Sequence, residues 1–118
     1  MFRNPFSHAS SLLRQHLNFL DLQSKAPFTL EFMNLIGHFE FGYGSKPFKY
    51  PTDKDNWDSD LDNKSFDYWL SQWLRTYTWL LETGIFGKKN IFLIEYEKLC
   101  SEKYLYKKIC NLVNISNH

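Results

Sequence analysis

One arginine, an Asn-Pro pair and a serine repeat fill the first eleven residues, where Phe2 to Ser11 reads FRNPFSHASS. Asn4 is a good N-cap and Pro5 suits the first helical position, so a helix is expected to open here with unpaired backbone N–H groups facing whatever precedes it. Such a terminus attracts anions. Arg3 adds a fixed charge and a planar fork that matches phosphate oxygens. Ser11 shares a helical stripe with Ser7, Arg14 and Asn18, because steps of three and four residues return to one face. The opposite stripe, Phe6, Ala9, Leu13, Leu17 and Leu20, is apolar and should face a core. The chemistry expected of this segment is phosphate binding, with Arg14 a secondary candidate that more naturally belongs to a solvated face.

These residues resemble a known pattern. An arginine closing a strand, an Asn-Pro turn and a serine eight positions after the arginine are similar to the segment with which sulfotransferases hold the 3′-phosphate of the sulfuryl donor 3′-phosphoadenosine 5′-phosphosulfate. Arg3 and Ser11 occupy those two positions. The order of later parts matches as well: an aromatic helix SFDYWLSQWLRTYTWLLE, a strand-like IFLIEYEKLC ending in the Tyr96-Glu97 pair, and a short last helix. The resemblance implies an α/β fold, a truncated piece of a P-loop-like three-layer domain spanning residues 1–118, mostly helical here with one or two short parallel strands. It implies a nucleotide donor, an acceptor hydroxyl or amine, and no metal. The family's N-terminal strand, phosphate loop and helix, which bind the 5′-phosphosulfate end of the donor, have no counterpart in these residues. The expectation is therefore a fragment that keeps Arg3 and Ser11 as a 3′-phosphate anchor and is inactive alone.

Composition narrows the classes. The chain has 118 residues, 43% of them hydrophobic, enough for one small domain with a modest core. Fourteen basic against thirteen acidic residues leave a net charge of +1, so no global field points to nucleic acid or an anionic membrane. No segment reaches the length of a membrane span and no signal peptide is evident. Cys100 and Cys110 match neither a zinc spacing nor a disulfide framework, which favours a reduced, cytoplasmic setting. The aromatic share is 19%, mostly at helical spacings that suggest core.

The elements that must position the site follow from patterning. The first helix should run from about Pro5 to Leu22. A second should start with Thr29 as N-cap and Phe28 and Met33 as a staple, bury Phe32, Leu35, Ile36 and Phe39, and end at Gly42 and Gly44. His38 and Glu40 near its end are tempting acid–base partners, but two residues apart on a helix they point to different faces. Residues 45–64 are polar and aperiodic, a loop that in the family borders the acceptor pocket and otherwise lies on the surface. Asp58, Asp60 and Asp62 imitate the opening of a calcium loop, yet Asn63 and Trp69 stand where glycine and glutamate are required.

The third helix should be capped by Ser65, carry Asp67 in its first turn, and end at Gly84. Phe66, Trp69, Leu70, Trp73, Tyr77, Leu80 and Leu81 form its apolar stripe. Ile91 to Tyr96 reads as a strand buried on both faces, whose only partner within the chain is a stub around Met1 to Arg3; exposed edges would then allow self-association. Ser101 should cap a last helix with Leu105, Ile109 and Leu112 inward, and the residues after Ile115 should fray. A rival reading of the same aromatic stripes is a non-catalytic helical module that meets a protein partner.

Overall fold

A computed structural model describes residues 1–51, 53 and 60–113. Asp58, the first carboxylate of the calcium-like run, and the tail beyond Ile115 lie outside the described residues. The chain is mostly helical: α1 (Pro5–Lys25), α2 (Pro27–Leu35), α3 (Phe66–Glu82), a single 3-10 turn (Ile85–Gly87), α4 (Tyr96–Ser101) and α5 (Lys103–Leu112). Among the described residues there is no β-sheet; one isolated parallel bridge joins Phe2 to Glu95. The mostly helical character matches the expectation, and of the one or two short parallel strands the described residues keep two segments that meet in this one bridge.

Asn4 starts α1 as expected, its Oδ1 accepting from the N–H groups of Phe6 and Ser7 at 3.0 and 3.2 Å. The helix runs past Leu22 to Lys25 and stops because Ala26 precedes a proline, which disfavours helical backbone at that residue. Pro27 then takes the first position of α2, so that helix opens two residues before Thr29 and the two helices are joined by Ala26 alone. It also closes early. Gly37, with φ of 77°, supplies the left-handed residue of a Schellman motif, in which His38 N–H donates to Met33 O and Gly37 N–H to Asn34 O.

This early stop changes which face of α2 is inside. Met33 is buried against Gln23, whose Nε2 donates to Met33 Sδ, while Phe28, Phe32, Leu35 and Ile36 face solvent. A nine-residue helix held at one end by its link to α1 buries one stripe only, and the neighbour that would cover the other side is not among the described residues.

The core lies between α1 and α3. Ala9, Tyr68 and Trp69 form its centre, with Leu12, Leu13, Phe41, Phe66 and Leu70 packed around them. Ser65 caps α3 through Tyr68 N–H, and Asp67 lies in the first turn, as the sequence indicates. Its most buried positions are nonetheless Tyr68, Trp69, Gln72 and Arg75, a face rotated from the purely apolar stripe, and Leu81 is exposed. On α1 the buried line is Ala9, His16 and Gln23, while Phe6 and Leu17 of the predicted stripe are exposed.

The polar members of these faces hold described residues of the connection between α2 and α3. His16 Nδ1 accepts Gly42 N–H at 3.2 Å, and Gln23 Oε1 accepts Tyr43 N–H at 2.8 Å. Gly42 has φ of 80°, and a Cβ there would lie 2.3 Å from Gln23 Oε1, so only glycine fits. Arg75 forms an ion pair with Asp53 and donates to Phe48 O at 3.0 Å.

Residues 91–94 are irregular, with Phe92 and Leu93 exposed, so the expected fully buried strand is absent. The expected last helix is α5, which opens after Glu102 rather than after Ser101 and has Cys110 as its one buried residue, with Leu112 exposed; α4 occupies the residues where the strand-like run was expected to continue.

Candidate functional site

The site begins with two short backbone segments that run side by side. Phe2 N–H donates to Ile94 O and Tyr96 N–H donates to Phe2 O, both at 2.8 Å, which defines the parallel bridge. Each segment leads directly into a helix, α1 after Arg3-Asn4 and α4 after Glu95. Arg3 consequently meets Tyr96 and Glu97, residues more than ninety positions away in the chain.

Three contacts define the cluster. The Arg3 guanidinium lies 5.2 Å from the centre of the Tyr96 ring, a cation–π geometry. Arg3 Nε is 3.9 Å from Glu97 Oε1, too long for a hydrogen bond, and has no hydrogen-bond partner among the described residues. The same Glu97 oxygen accepts Asn4 N–H at 3.1 Å. The Arg3 side chain remains 41% exposed, so the pair is open to solvent and screened by salt.

The start of α1 differs from the expectation of unpaired N–H groups. Pro5 has none, Phe6 and Ser7 donate to the Asn4 side chain, and His8 donates to Asn4 O at 2.9 Å. What the helix end offers an anion is its dipole and the Asn4 N–H, and a carboxylate already occupies the latter. An incoming phosphate has to displace Glu97.

Ser11 is exposed on α1, six residues beyond Pro5 and so about 9 Å further along the helix axis. Among the described residues no hydrogen bond or ion pair joins it to Arg3. Ser7 and Arg14 are likewise exposed. His8, one turn into α1, is half-buried; burial lowers its pKa below the ordinary histidine value, and the positive charge of Arg3 lowers it further.

His38 and Glu40 do meet, Nδ1 to Oε2 at 3.1 Å. They are not held on different faces of a helix, because α2 ends at Leu35 and the chain turns through Gly37 before His38. Both are well exposed. Asp60 and Asp62 are exposed, and among the described residues no group of three His, Cys, Asp or Glu side chains could hold a metal ion.

Arg75 and Asp53 were not legible as a pair. Arg75 lies off the apolar stripe of α3 and so reads as a solvated cation, and Asp53 lies in an aperiodic loop with nothing local to single it out. Arg75 keeps the Asp53 carboxyl below its ordinary pKa, chiefly by hydrogen bonding.

No family model, curated protein or solved structure matches this chain. Among the described residues no helix is long and apolar enough to cross a membrane.

Proposed function

We propose that the chain is a partial sulfotransferase domain of the α/β class, which holds the 3′-phosphate end of 3′-phosphoadenosine 5′-phosphosulfate through Arg3 and Ser11. The parallel pairing of Phe2 with Glu95 is the observation that carries this reading. It sets an arginine, a helix start and the Tyr96-Glu97 pair together beyond the carboxyl ends of two parallel segments, the side on which α/β proteins bind their ligands. Arg3 and Ser11 position the donor and do no chemistry. The sequence contains no glycine-rich phosphate loop to stabilise the transferring group, so transfer to an acceptor hydroxyl or amine by this chain alone is not expected. The reading includes a cytoplasmic setting, with which the free thiols of Cys100 and Cys110 are compatible.

The test is a thermal melt with and without millimolar adenosine 3′,5′-bisphosphate. A ligand at a hundred times its dissociation constant adds about 2.7 kcal/mol, a shift of several degrees in a domain of this size. Arg3→Ala should abolish the shift and Ser11→Ala should reduce it, whereas Glu97→Gln should enlarge it by removing the competing carboxylate. A cooperative melt that ignores the nucleotide in all four chains overturns the donor-site reading, and sulfate turnover by the chain alone overturns the claim of inactivity.

One observation favours the second reading, a non-catalytic helical module. The exposed face of α2, Phe28, Phe32, Leu35 and Ile36, is a contiguous apolar stripe of the kind that meets a partner. That reading expects Arg3→Ala to leave nucleotide binding unchanged and the chain to self-associate or to form a stable complex.

A further inference from the structure

The last helix carries a face that the α1–α3 core leaves uncovered. Among the described residues α5 packs on α4 and on no other helix, and α4 itself follows directly on the Phe2–Glu95 bridge. Spacing divides α5 into two faces. Leu105, Ile109 and Leu112 recur at steps of four and three, with Tyr106 and Val113 beside them, and form an apolar face. Lys103, Lys107 and Asn111 follow one another at steps of four on the other side. Lysines therefore stand along both edges of the apolar face, with Lys108 one turn from Leu112 and Lys103 one turn from Tyr106.

The chain uses this apolar face only in part. Cys110 is buried at its margin and Leu105 and Ile109 are half-buried, whereas Tyr106, Leu112 and Val113 each keep more than half of their surface exposed. The charge is equally one-sided. No acidic residue falls within α5, although Glu102 precedes it. Among the described residues Lys103, Lys107 and Lys108 form no ion pair, while Lys98 of α4 is held by Glu95 at 2.9 Å.

These exposed apolar side chains are too few for a stable protein interface, which takes about twenty residues a side. A lipid surface asks for no matching shape, only for an apolar face to bury and charge of the opposite sign. Short helices edged with lysine and tyrosine lie flat in such a surface, because the lysine stems reach the headgroups while the apolar side chains sink below them. We propose that α5 docks the chain on an anionic bilayer, with Tyr106, Ile109, Leu112 and Val113 towards the acyl chains and Lys103, Lys107 and Lys108 on acidic headgroups. The chain's net charge of +1 does not oppose this, since the attraction is felt only within about 10 Å of the surface. The inference goes beyond the donor-site reading and stands without it, since Arg3 and Ser11 take no part.

Co-sedimentation of the full chain with lipid vesicles is the test, using phosphatidylcholine alone or with about one part in three phosphatidylserine. The chain should bind the anionic vesicles, at least about tenfold more tightly than the neutral ones, and should come off as salt is raised from about 0.1 M to about 0.5 M. Lys103→Gln, Lys107→Gln and Lys108→Gln together should weaken binding about a hundredfold, near fivefold for each lysine. Leu112→Ser with Val113→Ser keeps the charge and should weaken it about tenfold or more. All five side chains are exposed, so both variants should keep the fold, as checked by circular dichroism. Phe28→Ser with Phe32→Ser, on the exposed stripe of α2, should bind like the parent chain. The proposal fails if anionic vesicles do not bind, if neutral ones bind as well, or if salt has no effect. It fails equally if either α5 variant binds like the parent or if the α2 variant loses binding. A chain that ignores vesicles but forms a dimer broken by Leu112→Ser with Val113→Ser would show that a second copy covers this face instead.

Discussion

His16 is fully buried, with 0% of its surface exposed, and its Nδ1 accepts the Gly42 N–H while its ring packs 5.3 Å from that of Trp69. The neutral tautomer with its proton on Nε2 is the only form that can accept there; a proton on Nδ1 removes the acceptor. Burial lowers the His16 pKa below the ordinary value of 6.5, Asn63 and Asp62 oppose that shift, and Lys64 reinforces it. Because the folded-state pKa is depressed, the unfolded chain binds the proton more readily. Stability is then full at neutral pH, falls as pH drops below about 6.5, and levels off below the folded-state pKa. His8 acts in the same direction. Melting temperature should therefore fall between pH 7 and pH 5, and His16→Gln should flatten that slope while His8 keeps a residue of it. A slope identical in both chains would refute the role of His16. Neither His16 nor Gln23 reads as core from the sequence, because a polar side chain on a helix is normally solvated; it is buried here only because a distant turn donates backbone N–H groups to it.

At the scale of the element, α3 was legible almost entirely and α2 only in outline. Ser65, Asp67 and Gly84 are local signals, and each acts through bonds within a few residues, so the limits of α3 follow from its own sequence. The limits of α2 depend on Pro27 and Gly37, also local, but its buried face depends on which neighbour it meets. Met33→Ala should cost about 2 kcal/mol, at the lower end for a buried methionine that also receives a hydrogen bond. Leu35, 84% exposed, should tolerate Leu35→Lys within about 0.5 kcal/mol. Chemical denaturation of the two variants checks this, and the reverse ranking would restore the face that the periodicity suggested.

At the scale of the whole molecule, the radius of gyration is 17.5 Å, against about 13.5 Å for a compact domain of this length. The excess reflects a small core between α1 and α3 and a C-terminal pair of helices tied on through residues 2–4. That tie includes the two backbone bonds of the Phe2–Glu95 bridge, the Asn4–Glu97 hydrogen bond, the Arg3–Glu97 pair and the contact of the Arg3 guanidinium with the Tyr96 ring. Phe2→Pro removes the N–H that donates to Ile94 O and should release α4 and α5. Limited proteolysis should then cut faster between residues 84 and 95, and small-angle scattering should show a larger radius of gyration with the α1–α3 melt retained. Unchanged cleavage and size would mean that the side-chain contacts alone suffice.

The helix start at Asn4-Pro5, the capped aromatic helix and the aperiodic stretch between were within reach of the sequence, because caps, prolines and spacing act over a few residues. The stub at residues 1–3 and the 91–96 segment could also be singled out, but the sequence left the latter with open edges or paired with a second copy, and the bridge between the two belongs to the tertiary structure. Only the tertiary structure decided what these elements do to one another. It rotated the buried faces of α1 and α3 so that His16, Gln23 and Arg75 hold a loop, brought Glu97 to the Asn4 N–H beside Arg3, and reduced the predicted strand to one bridge. Each of those outcomes rests on contacts between residues tens of positions apart, whose energy depends on partners that no local pattern names.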